Sequence, residues 1–542
     1  MRGFLGLVVV AACAKPRPPE PPKPEPLPVV DLAPELAIVQ PERGTFVDGE
    51  TLVVAGHAHD DAAVRVTVNG VDAPLAADGS FSVTLGVAPG MTIVATHALD
   101  ATGHDVRDVR SVLVGPFALA DGLTRAPIAV RLGGGGLAAL GKALGASAGS
   151  LDVDAAMRAL NPIFDRGGCL GARADVVAVT LGKVTVALAP KPGALAATIS
   201  VEDVVARFDV QYEVACLDAR TTMTVRTNAR ITSDLGAVVR DRRIHTSLSN
   251  TNVVLDELQI DLGVPRPIEN LLRRAIRGSV EAALQAVVAT GVPPIADAEL
   301  AALLAHVAVP PVLGRDVRLD VVPRHVAVAA SGVTVAADAA LIVAGGERGR
   351  YVARPAALLG GQPPPAAADV WIAADAIDQL LGGLWAAHAL DRTIALDELG
   401  LLGTLLKTKL ATIDVTFSLP PTIGADHALE LAIGDLILTA RDATGAEVQR
   451  FAVSLRSALT IAPGARTLAT NEPTVFAQRL GGAGPLDDAT VEAIARSVWA
   501  VVATRLDDAV ARIPVSALGG AVQVRAATAR DRFVVLDLAP ID

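Results

Sequence analysis

The chain has 542 residues, a formal net charge of −11, a hydrophobic fraction of 51% and an aromatic content of only 3%. At about 100–200 residues per domain, this length predicts three or four domains. The acidic surplus disfavours nucleic-acid binding, because phosphate recognition needs a basic surface. Beyond the N-terminus we find no run of about 18 apolar residues and expect no internal membrane-spanning helix. The aliphatic excess indicates either large cores or an apolar surface that lines an internal cavity.

Residues 1–13 have the organisation of a targeting signal. Arg2 supplies a positive charge, an apolar run follows, and Val10-Ala11-Ala12-Cys13 resembles the lipobox of bacterial lipoproteins, whose cysteine is acylated. An ordinary secretory signal with an incidental cysteine is the alternative. Residues 14–33 read as a proline-rich, extended spacer. The resemblance implies a lipid anchor at Cys13 in the envelope of a Gram-negative-like bacterium, with the outer membrane favoured because Ala14 is not Asp.

Two cysteines remain once Cys13 is assigned to the anchor, namely Cys169 and Cys216. In an oxidising compartment an even pair predicts one disulfide. Two buried free thiols are the alternative. The spacing does not fit a zinc site, since no Cys-x-x-Cys pair is present.

Residues 34–117 are predicted to form a small β-sandwich. Short alternating segments are separated by strong turn formers such as Asn69-Gly70 and Asp78-Gly79. The strings "VNG", "DGSF" and "DATG" in this range resemble those of bacterial Ig-like modules. That resemblance implies a spacer or an adhesion unit.

Residues suited to catalysis or metal binding are sparse. His57 and His59 alternate along one predicted strand beside Asp60 and Asp61, so a metal site is conceivable, although exposed strand residues explain the pattern better. The string Gly145-Ala146-Ser147-Ala148-Gly149 fits Gly-x-Ser-x-Gly, but it follows a predicted helix and not a strand, so it does not form a nucleophile elbow. The sequence has no His-Glu-x-x-His motif. We therefore expect a protein that is not an enzyme and has no cofactor or metal.

Residues 118–343 are predicted to form a first unit of helices and alternating strands. A helix led by glycines carries Leu137, Leu140 and Leu144 on one stripe. In "VVARFDVQYEV" the residues Val204 to Val214 alternate between apolar and polar side chains, as in a half-buried strand. One long amphipathic helix follows, and Pro293-Pro294 is expected to end it. The stripe of this helix contains Ile268, Leu272, Ile276, Val280 and Leu284.

Residues 344–368 are rich in glycine and proline and are predicted to link the first unit to a second one at 369–542. The second unit opens on a helix with Ile377 and Leu381. Alternating strands follow, and then a second long helix carries Val498, Val502 and Leu506 on its stripe. Because both units share this order of elements, we expect a diverged internal duplication.

Four segments, including "IAVRLGGGGLAALGKALG" and "DVWIAADAIDQLLGGLWAAHAL", together resemble the tubular lipid-binding superfamily of bactericidal/permeability-increasing and lipopolysaccharide-binding proteins. The resemblance spans roughly residues 127–540. It implies an α+β class: two tandem modules, each a bent antiparallel sheet wrapped on a long helix, that share a central sheet in an elongated tubular fold. The all-β sandwich would precede them.

The resemblance also implies a function. Acyl chains would lie in an apolar groove between helix and sheet, and the partner would be a lipid or a lipopolysaccharide-like amphiphile. The leucines, isoleucines and valines named on the helix stripes are then the predicted lipid-binding residues. The alternative is a surface-anchored adhesion or scaffold protein with filled cores and no ligand.

Overall fold

A computed structural model of the chain describes residues 32–540, except for residues 62, 150–151, 170, 215, 262–265, 306–308, 310, 358–364, 366, 397–409, 426–427, 462–467, 485 and 512–521. The predicted anchor residue Cys13 and most of the predicted spacer therefore lie outside the described residues. Within the described part the chain is mostly β, with 58% strand and 18% helix.

The N-terminal part is a two-layer β-sandwich, which confirms the predicted Ig-like domain. One sheet has the order β1-β3-β6 and the other the order β2-β8-β7-β4-β5. Leu52, Val54, Val68, Phe81 and Val112 fill the space between the layers. The strands are β1 (Glu35–Gln40), β2 (Thr45–Val47), β3 (Thr51–His59), β4 (Arg65–Val68), β5 (Val71–Ala73), β6 (Ser80–Gly86), β7 (Gly90–Leu99) and β8 (Asp105–Val114).

The first unit follows, and three of its strands are 19 to 24 residues long. Its elements are β9 (Phe117–Leu119), β10 (Thr124–Leu132), α1 (Gly134–Ala148), α2 (Val153–Arg158), β11 (Phe164–Arg166), β12 (Ala172–Thr180), β13 (Val184–Lys191), β14 (Ala194–Val214), β15 (Leu217–Arg240), β16 (Arg243–Asp261), α3 (Arg266–Ala305), β17 (Val317–Ala329) and β18 (Gly332–Val343). Strands β11-β12-β14-β15-β16 form one antiparallel sheet, and β13 pairs with β14.

The second unit has a similar series of elements. They are β19 (Arg350–Val352), β20 (Ala368–Ala373), α4 (Ala374–Ala386), β21 (Arg392–Ala395), β22 (Thr412–Phe417), β23 (Thr422–Gly424), β24 (Leu429–Arg441), β25 (Glu447–Ile461), β26 (Leu468–Thr470), β27 (Thr474–Gly481), α5 (Asp488–Ala511), β28 (Val522–Arg530) and β29 (Phe533–Pro540). Its own sheet has the order β21-β22-β24-β25-β26, with β23 paired to β24 and β27 paired to β25.

A central sheet joins the two units. Its order is β17-β18-β10-β20-β29-β28, so each unit contributes three strands. The junction is the antiparallel pair of β10 and β20, in which Ile128 is the Cα partner of Ile372. Apolar side chains on one face of this sheet belong to a buried cluster that also includes residues of both units' own sheets. Ala129, Trp371 and Phe533 of the same sheet belong to a separate cluster.

The predicted wrapping of each sheet around a long helix is wrong. Helix α3 contacts mainly β16, the edge strand of its sheet, and α5 lies beside β26 and β27. In the parts of the two units that the structure describes, no sheet encloses the long helix, and the predicted α+β tube gives way to several packed sheets with helices against them. The physical reason is that an amphipathic stripe shows which helix face is buried, and it does not show how far the partner sheet bends around the other faces.

Two details of α3 also differ from expectation. The helix passes through Pro293 and Pro294 and ends at Ala305, although these prolines were expected to terminate it. The stretch Ile276–Leu304 is long and apolar enough to cross a membrane, judged by length and composition only. By these two criteria the expectation of no internal membrane-spanning helix is not met. In this fold Ile276, Val280 and Leu284 pack into the buried cluster beneath the first unit's sheet.

Candidate functional site

An apolar cleft lies in the first unit where α1, α3 and four strands meet. About 390 Å³ of space lies between its walls when the part open to solvent is counted. The volume that the centre of a water molecule can occupy is only about 20 Å³, which is room for about one water molecule. Every side chain that lines it is aliphatic. The lining residues are Leu144 and Ala148 of α1, Val186 and Leu188 of β13, Ala197 and Ile199 of β14, Leu235 of β15, Leu248 of β16, and Val292 and Ile295 of α3.

Strand pairing explains why these side chains converge. Directly paired residues of antiparallel strands project to the same face of a sheet. The strand side of the cleft consists of such pairs, in which small or branched side chains leave space beside longer ones. The pairs are Val186 with Ile199, Leu188 with Ala197, and Leu235 with Leu248.

Helix α1 forms one side of the cleft because it packs very closely on β13. A Cβ atom added at Gly141 would lie 2.5 Å from the carbonyl oxygen of Val186, so only glycine permits this approach. Leu144 and Ala148 lie one and two turns further along the same helix and line the cleft. The glycine therefore fixes the position of this side of the cleft.

Helix α3 forms the opposite side at its paired prolines. Proline has no amide hydrogen, so Pro293 and Pro294 remove two helical hydrogen bonds, and Val292 and Ile295 of the cleft lining flank them. The hydroxyl of Thr246 donates to the carbonyl oxygen of Pro293 at 2.9 Å. The backbone N–H of Thr246 donates to the carboxylate of Asp297. These bonds tie the irregular part of α3 to β16 beside the cleft.

The turn of the β15–β16 hairpin carries three exposed arginines, Arg240, Arg242 and Arg243, which we call the arginine hairpin. None of the three forms an ion pair with any residue that the structure describes. Arg240 and Arg243 are Cα partners, five positions along their strands from the cleft-lining pair Leu235 and Leu248. At about 3.3 Å per residue this is roughly 17 Å. An apolar wall and a cationic turn thus belong to one hairpin.

The structure distributes the predicted lipid-binding residues over several cores. Leu144 lines the cleft, and Leu137 and Leu140 are buried in the adjoining cluster. Ile276, Val280 and Leu284 are buried between α3 and the first unit's sheet, while Ile377 and Leu381 of α4 pack against the cluster that includes the central sheet. Val498 is half-buried on α5. The side chains of Ile268, Leu272, Val502 and Leu506 lie outside the described residues.

Sequence reasoning missed most of the cleft lining. Val186, Leu188 and Ala197 belong to strands whose alternation was recognised, but their apolar face was not distinguished from ordinary core. Val292 and Ile295 flank prolines that were expected to end the helix. Prolines inside an apolar helix stripe are the sequence feature that could have indicated this part of the cleft.

Among the described residues no titratable side chain lines the cleft, and Asp297 lies beside it. Among the described residues no group of three or more His, Cys, Asp or Glu side chains could hold a metal ion. His57 and His59 are exposed on β3. Burial raises the pKa of Asp378 of α4 to about 7, against the opposing effect of Arg354. Its carboxylate accepts hydrogen bonds from Arg354 and from the N–H of Ile423, at 2.8 and 2.7 Å.

The disulfide predicted between Cys169 and Cys216 is confirmed. It joins the segment after β11 to Cys216, which directly precedes β15, at a sequence separation of 47. The alternative of two free thiols is thereby excluded.

Comparison with known proteins gives one match by sequence and weak matches by structure. The family model of glucodextranase domain B, an Ig-like domain, matches residues 34–115. A search of curated proteins finds no match. A lipopolysaccharide binding protein is 14% identical with a TM-score of 0.39, and the match covers 77% of this chain and 100% of that chain. The P47 protein of Clostridium botulinum E1 is 9% identical with a TM-score of 0.25, covering 77% and 99%.

Proposed function

We propose that the chain is a non-catalytic binding protein for amphiphilic lipids, and that the apolar cleft of the first unit widens to hold hydrocarbon between α1, α3 and the sheet. The observation that carries this proposal is the aliphatic lining contributed by α1, α3 and strands β13 to β16. A cleft with this lining offers nothing to a polar solute, since a polar group buried without a hydrogen-bond partner is destabilised. Hydrocarbon is the chemistry that it can accept.

Elementary energetics make such binding favourable. Moving a methylene group from water into an apolar environment contributes about 0.8 kcal/mol. The lining uses Ala148 and Ala197 where bulkier side chains would fill the space. Affinity would therefore come from chain length, and discrimination between lipids would fall to polar groups outside the cleft.

The arginine hairpin supplies a candidate for that discrimination. Guanidinium groups form paired hydrogen bonds with phosphate oxygens, and Arg240, Arg242 and Arg243 are exposed on the hairpin that also contributes Leu235 and Leu248 to the cleft. We propose that the partner is an anionic amphiphile of the lipopolysaccharide-like class, whose headgroup faces these side chains.

We further propose that the protein is a lipoprotein held in the cell envelope through Cys13, in the outer membrane of a Gram-negative-like bacterium. The lipobox-like Val10-Ala11-Ala12-Cys13 and the proline-rich spacer after it support this location. Metabolic labelling with an alkyne fatty acid, compared between the native chain and Cys13→Ser, tests the anchor. Equal labelling of the two proteins would refute it.

Uptake of a fluorescent fatty acid tests the cleft. Leu248→Asp places a carboxylate in the apolar lining, and burial of an unpaired charge is strongly unfavourable. We expect at least about a tenfold loss of probe affinity, which corresponds to about 1.4 kcal/mol. The matched control is Val254→Asp, because Val254 lies on the same strand and is 46% exposed.

The outcome is informative in both directions. Loss of uptake in Leu248→Asp, with uptake kept in Val254→Asp and circular dichroism unchanged in both, supports the cleft as the binding site. Equal uptake by both variants would place the hydrocarbon elsewhere. Absence of uptake by the native chain would leave the scaffold alternative.

A further inference from the structure

The outer face of the second unit's sheet is covered by the N-terminal sandwich. Met91 and Leu113 of the sandwich form a buried apolar cluster with Leu419 and Ala432 of the second unit. The two layers approach so closely at Gly434 that an added Cβ atom would lie 2.4 Å from Sδ of Met91 and 2.6 Å from Cβ of Ser111. This contact is as tight as a protein core.

A buried carboxylate lies at the centre of the same contact. The side chain of Asp435 is 0% exposed and is 3.2 Å from Nη1 of Arg43. One of its oxygens also accepts hydrogen bonds from the backbone N–H of Ser111 at 3.0 Å and of Gly44 at 3.2 Å. Beside it, the hydroxyl oxygens of Ser111 and Ser454 lie 2.8 Å apart. The sandwich thus supplies the cation and two of the donors that satisfy a buried charge of the second unit.

Further polar contacts extend the interface to both sides. Arg107 of β8 forms an ion pair with Glu492 of α5 and donates to the carbonyl oxygen of Ala477 at 3.0 Å. Arg456 of β25 donates to the carbonyl oxygen of Met91 at 2.7 Å. With Asp435 of β24, the contact therefore includes three strands (β24, β25 and β27) and one helix (α5) of the second unit, which is more than a flexible connection requires.

We propose that the sandwich is a permanent outer layer of the second unit, and that the two fold and move as one body. If the sandwich left, Asp435 would lose Arg43 and two N–H donors while a sheet face of small residues became exposed. An uncompensated buried charge is strongly destabilising, so the docked arrangement is the stable one. The sandwich then does not act as a flexible spacer. The residues that precede it are connected to one rigid body, which consists of the sandwich and the second unit.

Disulfide trapping tests this proposal in the full chain carrying Cys13→Ser. The variant Ser111→Cys/Ser454→Cys places two thiols where the hydroxyl oxygens lie 2.8 Å apart. Under mild oxidation we expect the bond to form in most molecules, as read by peptide mapping without reduction. Gly434→Val should slow its formation at least fivefold, because its side chain collides with Met91 and Ser111. Gly481→Val is the matched control, since nothing lies within 4 Å of a Cβ atom there.

A second variant separates undocking from a folding defect of the second unit. Arg43→Glu alters only the sandwich side and places a carboxylate against Asp435, so it should slow trapping in the same way. Rapid trapping in the parent and control, with slow trapping in both interface variants, supports the docked body. Failure of the parent pair to form the bond, or equal rates in all variants, would overturn the proposal and restore the free spacer.

Discussion

At the scale of single residues, burial raises the pKa values of two carboxyl groups on α4. Asp378 is 2% exposed on α4, and its pKa is raised to about 7 because removal of the carboxylate from water outweighs the attraction of Arg354. Burial raises the pKa of its neighbour Asp375 as well. These groups hold α4 against the chain around Arg354 and Ile423, and they lie outside the cleft.

The raised pKa predicts a pH-dependent contribution to stability. Between about pH 4 and pH 7 the folded protein keeps a proton on Asp378 that the unfolded chain has released, so this contribution to the free energy of unfolding falls as pH rises through that window. Above about pH 7 it stays constant. Asp378→Asn should reduce the slope by up to about 1.4 kcal/mol per pH unit.

Urea denaturation of the native chain and of Asp378→Asn, followed by the fluorescence of tryptophan at several pH values, measures the difference in slope. The difference in slope between the two proteins excludes the contribution of carboxyls whose pKa is lowered, such as Asp414 beside Arg441. Those carboxyls make the free energy of unfolding rise with pH, and they are the same in both proteins. Parallel profiles for the two proteins would show that Asp378 does not titrate in this range.

Individual residues also show what sequence can and cannot provide. The alternation from Val204 to Val214 correctly identified the buried side, since Val204, Phe208 and Val210 are at most 2% exposed. The same pattern could not reveal that Ala197, nearer the start of the same strand, lies beside a small apolar cleft. The cleft depends on α1 and α3, which approach the strand from distant parts of the sequence.

At the scale of elements, helical periodicity located the helices and misjudged their surroundings. The long helices α3 and α5 occur where the apolar stripes predicted them. The apolar stripes did not show that each helix lies mainly beside the last strands of its sheet. Helical periodicity contains no information about how strongly the neighbouring sheet bends. Pro293 and Pro294 are tolerated inside α3, where Thr246 bonds to the helix at that point.

Helix α1 provides a test at this scale. Gly141→Val should push α1 away from β13, because an added Cβ atom would meet the carbonyl oxygen of Val186. Overpacking of this kind destabilises by about 1–3 kcal/mol, and we expect weaker binding of the fluorescent fatty acid because Leu144 and Ala148 move with the helix.

The matched control for this prediction is Gly134→Val on the same helix, where nothing lies within 4 Å of an added Cβ atom. Thermal unfolding and probe titration of both variants make the comparison. If Gly134→Val and Gly141→Val behave alike, the close approach of α1 does not shape the cleft.

At the scale of the whole molecule, the order of elements was visible in the sequence and the contacts between distant parts were not. Two units with a similar order of elements were predicted, and they join through a central sheet to which each contributes three strands. The docking of the sandwich could not be anticipated, because Arg43 and Asp435 are 392 positions apart in sequence. No local pattern pairs such residues. The resemblance to Ig-like modules implied that the sandwich is a spacer or an adhesion unit, and our proposal of a docked layer differs from the first of these expectations.

The lipid content of the purified protein tests the central claim most directly. The full chain carrying Cys13→Ser, which has no acyl anchor of its own, would be purified and examined by native mass spectrometry and by extraction of bound lipid. We predict stoichiometric acyl lipid on this protein and its loss in the protein that also carries Leu248→Asp. A protein that emerges empty and takes up no fluorescent fatty acid would contradict the account.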